Sequence, residues 1–223
     1  MSTTPRAVLT DFGGVLTTSI FEAFETYSAS VSDDPKLFGS LFRTEPAAGA
    51  LLVEHECGRI DQAEFERGIA ELLAPRGITV PAPGFVDAFQ ALLKPDEEMI
   101  AAMLALRAAG VPVAIVSNSL GDDAYRGYDM AALADTSVIS GEVGVRKPSR
   151  AIYELACTRL GVEPAECVMI DDLEHNLQGA ERLGITGLHH TDSKRTVKIL
   201  SDWFGMPARL PPPPVKEPLR GAD

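Results

Sequence analysis

The stretch Ala7-Val8-Leu9-Thr10-Asp11-Phe12-Gly13-Gly14-Val15-Leu16 leads from a short, mostly apolar run into a carboxylate and a pair of glycines. Such a run is typical of a parallel strand that is covered by helices on both faces. Ligands of open parallel sheets bind at the carboxyl ends of the strands, which is where Asp11 stands. The two glycines beyond it allow the backbone to approach a bound group closely. The stretch therefore predicts a central strand that delivers Asp11 to the functional edge of a sheet.

Further apolar runs of the same kind follow along the chain, at residues 111–116, 137–140, 167–170 and 185–188. Helical patterns separate them. An acidic first turn at residues 96–98 opens a helix that stops at Gly110, and two later apolar patterns stop at Gly161 and Gly184. The residues between the third run and Lys147 include a glycine-rich stretch, 141–144, that predicts a loop. Strands that alternate with helices predict an α/β fold with a Rossmann-like parallel sheet.

The segment from residue 17 to residue 94 is too long for a simple connection, which usually takes about 2–6 residues. Its apolar pattern is helical, and Gly58-Arg59-Ile60-Asp61 predicts a turn with Asp61 as the N-cap of the next helix. We expect Phe21, Phe24 and Phe65 to lie in the core of this insert. The predicted organisation is a core of residues 1–16 and 95–206, a helical cap at 17–94, and a mobile, proline-rich tail at 207–223.

Composition restricts the classes of partner. The 223 residues carry 32 acidic and 20 basic side chains, and the net charge of −12 argues against binding to nucleic acid or to an anionic membrane. Cys57, Cys157 and Cys167 lack the spacing of a metal site or a disulfide framework, so we interpret them as free thiols. The amino terminus has no signal-peptide pattern and no apolar run has the length of a membrane span, so we expect a cytoplasmic protein. A homodimer is left open.

Polar residues follow the predicted strands at the edge where ligands bind. Asp11 follows the first strand, Ser117-Asn118 the second and Asp171-Asp172 the fourth, with Lys147 in the loop beyond the third. Converging carboxylates repel one another unless a cation lies between them, and a set of oxygen ligands suits Mg²⁺. The lysine, the hydroxyl, the amide and the N–H groups of Gly13-Gly14 could hold a phosphate beside a carboxylate nucleophile. The pattern therefore predicts Mg²⁺-dependent phosphoryl transfer from a small phosphorylated substrate.

Four motifs, in this order, resemble those of the haloacid dehalogenase-like superfamily. They are Asp11-Phe12-Gly13-Gly14-Val15-Leu16, Val116-Ser117-Asn118, Arg146-Lys147-Pro148 and Ile170-Asp171-Asp172-Leu173-Glu174-His175-Asn176. The resemblance covers residues 7–190 and is nearest to the subgroup that contains the N-terminal phosphatase domain of soluble epoxide hydrolase and the related domain of an acyl-CoA dehydrogenase family member. It implies a hydrolase with a Rossmann-like core and a helical cap that closes over the site and selects the substrate.

The resemblance also implies a metal site. Asp11 is the nucleophile and a ligand of Mg²⁺, and Gly13 offers its backbone carbonyl to the same ion. Asp172 binds the metal directly, and Asp171 lies close behind it.

The remaining matched positions imply phosphate binding and support. Ser117, Asn118 and Gly14 hold the phosphate, and Lys147 balances the charge of the nucleophile and the substrate. Asn176 steadies the loop of the fourth motif.

One position departs from the pattern of the superfamily. Its phosphatases usually carry a second aspartate two residues after the nucleophile, which protonates the leaving group and later activates water, whereas this chain has Gly13. General acid–base help is worth about 10²–10⁴-fold, so its loss predicts a slow enzyme unless another group substitutes. We consider His175 and the cap residue His55 as substitutes, and rate His55 and the His189-His190 pair below His175. An acyl phosphate, whose leaving group is good, would need less help.

Three other functions are weighed against the phosphatase. A 2-haloacid dehalogenase uses the same aspartate without a metal; Gly13 is compatible with it, but the paired Asp171-Asp172 argues against it. A catalytically weak, phosphate-binding regulatory module also agrees with Gly13. A phosphomutase depends on the missing second aspartate and is disfavoured.

Overall fold

The computed structural model describes residues 4–206, so the proline-rich tail predicted at 207–223 lies outside the described residues. Within that range a five-stranded sheet has the order β3-β2-β1-β4-β5, and every neighbouring pair is parallel. Its strands are β1 (Ala7–Thr10), β2 (Val113–Ser117), β3 (Thr136–Ile139), β4 (Cys167–Asp171) and β5 (Thr186–His189). The α/β class and the Rossmann-like parallel sheet predicted from the sequence are confirmed.

Some predicted boundaries were wrong by one or two residues. The second strand begins at Val113 because the N–H of Val111 still donates to Leu106 O at the end of the preceding helix, 3.0 Å away. The third strand ends at Ile139, and the predicted loop after it is instead a short helix that begins at Ser140. That helix ends at Val143, and Gly144 follows it with a φ of 75°, the left-handed conformation that closes helices.

Five helices fill the insert between β1 and the next core helix. They are α1 (Ile20–Val31), α2 (Leu37–Thr44), α3 (Pro46–Glu56), α4 (Gln62–Leu73) and α5 (Phe85–Gln90), with a short 3₁₀ turn at Ala74–Arg76. Asp61 caps α4 as predicted, because its carboxylate accepts a hydrogen bond from the N–H of Glu64. The two ends of the insert meet at its base, where the N–H of Thr18 donates to Lys94 O.

The core helices are α6 (Glu97–Ala108), α7 (Met130–Leu133), α8 (Ser140–Val143), α9 (Arg150–Leu160), α10 (Glu174–Glu181) and α11 (Ser193–Phe204), with a 3₁₀ turn at Pro164–Glu166. Asp96 accepts from the N–H of Met99 and so caps α6. The predicted stops at Gly110 and Gly161 are confirmed, because both glycines have positive φ just beyond the end of a helix. None of the helices in residues 4–206 combines the length and the apolar character that crossing a membrane requires.

Alternate residues of the central strands pack on opposite faces of the sheet. Val8 belongs to the apolar cluster that includes α6 and α11, whereas Ala7 and Leu9 belong to the cluster that includes α9 and α10. Burial on both faces accounts for the continuous apolar runs in the sequence. The two helical layers therefore cover both faces of the sheet, and its carboxyl edge is left to carry the side chains of a site.

The insert has an apolar core of its own, rich in phenylalanine. Phe24 and Phe65 are buried in it, as expected, together with Phe38 and Phe85. The expectation for Phe21 was wrong, since 48% of this residue is exposed and it lies on the wall of a cavity between the insert and the core. Phe21 lies near the start of α1 and lines the same cavity as Asp11 and Asp172 at the carboxyl edge of the sheet.

Candidate active site

Asp11 and Asp171 leave the sheet side by side. Thr10 pairs with Ile170 across β1 and β4, so the two aspartates stand at the carboxyl ends of neighbouring strands. The chain order reverses at this pair of strands, since β2 and β3 lie beyond β1 and β5 lies beyond β4. Such a switch point opens a crevice in which ligands bind.

Lys147 lies between these two aspartates. Its Nζ is 2.8 Å from Asp11 Oδ1 and 2.7 Å from Asp171 Oδ2, and its side chain is 1% exposed. Burial alone would lower the pKa of Lys147, but the two carboxylates outweigh that effect and raise it. Burial also raises the pKa of Asp11, against the attraction of Lys147, and Asp171 and Asp172 add to the rise. The lysine therefore stays charged and holds Asp11 in place.

Asp172 adds a third carboxylate to the cluster. Asp11, Asp171 and Asp172 each offer an oxygen within 4.8 Å of those of the other two. Burial and then the charge of Asp171 raise the pKa of Asp172 to about 6. Gly14 makes this approach feasible: its φ is +77°, and a Cβ there would collide with the Asp172 carboxylate. Three carboxylates share one ammonium, and oxygen ligands with excess negative charge fit a hard divalent cation such as Mg²⁺.

The three carboxylates differ in how many hydrogen bonds they accept from the protein. Asp171 accepts hydrogen bonds from Lys147 Nζ, from the N–H of Leu173 and, on both oxygens, from Asn176 Nδ2. Asp171 is fully buried, and it does not line the cavity, whereas Asp11 and Asp172 do. Asn176 thus holds Asp171, as a support for the fourth motif would.

Ser117 and Asn118 make contacts that the sequence did not predict. The Ser117 hydroxyl accepts from Tyr125 OH at 2.9 Å and is almost fully buried, and Ser117 is not among the cavity residues. Asn118 does line the cavity, but its side chain joins the backbone of Lys147: Oδ1 accepts from Lys147 N at 2.8 Å and Nδ2 donates to Lys147 O at 3.2 Å. One Nδ2 hydrogen remains for a phosphate oxygen. The main contact of Asn118 positions Lys147.

A cavity of about 450 Å³ covers this cluster. Its floor is polar and is formed by Asp11, Gly13, Asn118, Lys147 and Asp172. Its walls are mostly apolar and come mainly from the insert, through Ile20, Phe21, Phe24, Phe42 and Leu52, with Leu120 and Leu173 from the core. The arrangement suits a ligand with a charged head and an apolar body.

The cavity also contains three charged residues that the sequence did not predict to line it. They are Arg43, Glu56 and Arg146, although Arg146 was already part of the third motif. Arg146 Nε lies 2.6 Å from Glu56 Oε2, which joins the core to the end of α3. Burial raises the pKa of Glu56 to about 7, with Arg146 and then Lys147 opposing the rise. No local signal marks Glu56 in the sequence, apart from its place just before the predicted turn at 58–61.

The histidines considered as substitutes for an acid differ in placement. His55 is buried outside the cavity, where Nε2 accepts from the N–H of Gly121 and the ring stacks on Phe65. His55 was therefore a wrong candidate, since its contacts give it a structural role. His175 does line the cavity and is exposed. His189 contacts Asp172 O, and the buried His190 contacts Thr196, so neither faces the cavity.

A model of the haloacid dehalogenase-like hydrolases matches residues 5–184. The chain is 28% identical to the sesquiterpene phosphatase astK of Aspergillus oryzae over 195 residues, which are 81% of this chain and 98% of the relative. It is 30% identical to a glyceraldehyde 3-phosphate phosphatase of Methanopyrus kandleri over 115 residues, 50% of this chain and 49% of the relative. It is 31% identical to (S)-2-haloacid dehalogenase 1 of a Pseudomonas species over 83 residues, 36% of this chain and 37% of the relative.

The fold is shared with a HAD family enzyme of Bacteroides thetaiotaomicron solved as a magnesium complex. The two structures superpose with a TM-score of 0.63 at 24% identity, over 85% of this chain and 94% of the other.

Proposed function

The chain belongs to the haloacid dehalogenase-like hydrolases, and on this premise we propose that it is a Mg²⁺-dependent phosphatase that forms a phosphoryl-aspartate on Asp11. The observation that carries the proposal is the buried cluster in which Lys147 Nζ holds Asp11 at 2.8 Å and Asp171 at 2.7 Å beside Asp172. Asp11 can attack phosphorus from a fixed position, since Lys147 and the N–H of Phe12 both bind its Oδ1. Its Oδ2 is then the oxygen available as the nucleophile.

Mg²⁺ would be held by Asp11 and Asp172, with the Gly13 carbonyl as a further ligand and Asp171 behind them. When bound, the ion would neutralise the negative charge of the phosphate and of the carboxylates during transfer. The excess of carboxylates over cations in the cluster supports this assignment, as does the magnesium complex of the structural neighbour. Lys147 supplies the second positive charge beside the transferring group, and Asn118 keeps that lysine in place through two hydrogen bonds to its backbone.

For the substrate we propose a phosphate monoester of an apolar organic group. The phosphate would lie on the polar floor, and the organic group would contact Phe21, Phe42 and Leu52 on the walls. Burial of apolar surface on these walls would supply binding free energy of about 25 cal/mol per Å². The similarity to a sesquiterpene phosphatase, over nearly its whole length, agrees with a substrate of this kind.

A 2-haloacid dehalogenase is the second candidate. Gly13 and the similarity to a haloacid dehalogenase favour it. That reaction needs no metal, however, and leaves the convergence of Asp171 and Asp172 on Asp11 without a purpose. The phosphatase therefore accounts for more of the site.

The test is hydrolysis of para-nitrophenyl phosphate by the wild type and by Asp11→Asn, each with Mg²⁺ and with chelator. We expect turnover that needs Mg²⁺ and falls by at least about 10³-fold in Asp11→Asn. Asp202→Asn, an exposed carboxylate on α11 paired with Lys198, is the matched control and should behave as the wild type. Chloride release from 2-chloropropionate without metal would favour the dehalogenase. Phosphate binding with no turnover of either substrate would favour a binding module.

A further inference from the structure

Glu56 is a carboxylate that the insert brings into the cavity above Asp11. It is the last residue of α3, and 8% of it is exposed. The position of its backbone is fixed by the core, since Ser140 Oγ donates a hydrogen bond to Glu56 O. The side chain lines the same cavity as Asp11, Asn118 and Lys147. The insert therefore presents this carboxyl group to whatever lies on the polar floor.

The carboxylate of Glu56 is poorly satisfied for a buried group. Arg146 Nε forms an ion pair with Oε2 at 2.6 Å, but within the described residues neither of these two buried atoms has a hydrogen-bond partner. Glu66, which is also buried in the insert, is an example of a glutamate with a structural role. Its two oxygens accept from the N–H groups of Gly84 and Val86 at 2.8 and 2.9 Å. Buried charges without such donors are costly, and they are often kept for a purpose other than stability.

The protonation of Glu56 suits the exchange of a proton near neutral pH. Burial raises the pKa of its carboxyl to about 7, while Arg146 and Lys147 oppose the rise. A group that titrates close to the working pH is both present as an acid and able to act as a base.

The other titratable groups of the cavity either have another role in the site or cannot exchange a proton. Asp11 and Asp172 belong to the proposed metal cluster, and Lys147 is bound to two carboxylates. Arg43 and Arg146 stay charged and cannot give up a proton. Residue 13 is a glycine and has no side chain that could act as an acid, and Ile20 Cδ1 lies close to where its Cβ would be. Glu56 and the exposed His175 remain.

We propose that Glu56 is the general acid and base of this site, supplied by the insert in place of a side chain at Gly13. The proposal rests on the phosphatase function proposed above. In the first step Asp11 Oδ2 bonds to phosphorus, the bond from phosphorus to the ester oxygen breaks, and that oxygen takes the proton of Glu56 and leaves as an alcohol. In the second step the Glu56 carboxylate takes a proton from water while the water oxygen bonds to phosphorus. The bond from phosphorus to Asp11 then breaks, inorganic phosphate leaves, and Glu56 is again protonated.

The test compares Glu56→Gln with the wild type on para-nitrophenyl phosphate and on phenyl phosphate, with Mg²⁺. The two esters are similar in size, but the phenolate of the second is a much poorer leaving group and needs a proton. We expect kcat/KM for phenyl phosphate to fall by about 10²-fold or more, and kcat/KM for para-nitrophenyl phosphate by less than about tenfold. Glu54→Gln, on the exposed side of the same helix, is the matched control and should leave both esters unchanged. Arg146→Gln removes the ion pair but keeps the carboxyl, so it should affect both esters alike.

Equal falls on the two esters in Glu56→Gln, with normal folding by circular dichroism, would overturn the proposal and leave Glu56 as a structural contact. A selective fall in His175→Gln and none in Glu56→Gln would also overturn it, because His175 would then be the acid. Failure of the wild type to hydrolyse either ester would instead overturn the phosphatase function itself, and this proposal with it.

Discussion

The ammonium of Lys147 lies 2.8 Å from Asp11 Oδ1 in a position almost closed to water. The pair joins two loops that are far apart in the sequence, and it fixes the carboxylate at the end of the central strand. A lysine this deep in a protein is stable only as long as its partners remain charged. The contact between Lys147 and Asp11 therefore stabilises the folded protein and also positions Asp11 in the site.

Replacement of Lys147 by methionine should destabilise the metal-free protein by about 3–5 kcal/mol, because Asp11 and Asp171 would lose their shared cation inside the protein. Mg²⁺ should recover part of this loss, since it would restore positive charge among the three carboxylates. Thermal unfolding with chelator and with Mg²⁺ checks both statements, and the rise in Tm on adding Mg²⁺ should be larger in Lys147→Met than in the wild type. Lys198→Met, on the exposed face of α11, is the control. A loss of stability that Mg²⁺ does not reduce would contradict a metal site here.

Glu56 should make the stability of the protein depend on pH. Its pKa is about 7 in the folded state and 4.5 in the unfolded chain, so the folded state binds more protons between these values. The contribution of Glu56 to the free energy of unfolding is therefore highest below pH 4.5, and it falls as the pH rises to about 7. Relative to the wild type, Glu56→Gln should gain stability over this interval, by at most about 3 kcal/mol. Urea unfolding at pH 5 and pH 8 with chelator measures the difference, and parallel changes in the two proteins would contradict a raised pKa.

The sheet and its edge could be predicted from the sequence because both depend on local patterns. Buried strands read as apolar runs, and the carboxylates at their ends are adjacent in the sequence to those runs, as with Asp11 after β1 and Asp171 at the end of β4. The stop at Gly161 and the cap at Asp61 are local as well. Each of these features follows from residues within one turn or one strand.

The cavity contacts could not be predicted in this way, because they depend on how the insert packs on the core. Glu56 meets Arg146 across a gap of ninety residues, and nothing in either segment indicates the other. Phe21 was expected in the core of the insert together with Phe24 and Phe65, yet it lines the cavity. The role of Asn118 in holding Lys147 depends on two loops that meet only in the folded chain. Motifs locate the chemical groups, whereas tertiary packing decides their partners.

Gly58 should be needed for the insert to rest on the core. Its φ is +67°, and a Cβ there would collide with the carbonyl oxygen of Gly141. We therefore expect Gly58→Ala to lower kcat/KM by about tenfold or more, because the insert and Glu56 would move away from the floor of the site. Gly77→Ala is a close control, since Gly77 has a φ of +72° and no atom would lie within 4 Å of its Cβ. Both variants should lose about 1 kcal/mol of stability, because alanine is strained at a positive φ. Only Gly58→Ala should also lose kcat/KM. A similar fall in kcat/KM in both variants would show that the close contact between Gly58 and Gly141 is unimportant.

Phe21 should contribute to the affinity for an apolar substrate. It is exposed on the wall of the cavity, and its ring contacts that of Phe24 edge to face at 6.5 Å. Phe21→Ser should raise KM for n-octyl phosphate by about tenfold or more, because burial of an aromatic side chain against the alkyl chain is worth about 1.5–3 kcal/mol. It should leave KM for glycerol phosphate unchanged, since that substrate has no apolar body. Leu92→Ser is the control, because Leu92 is the other large apolar residue exposed among the described residues and it lies away from this cavity. Equal effects of Phe21→Ser on the two substrates would mean that the apolar wall does not select the substrate, and the phosphate floor alone would then account for binding.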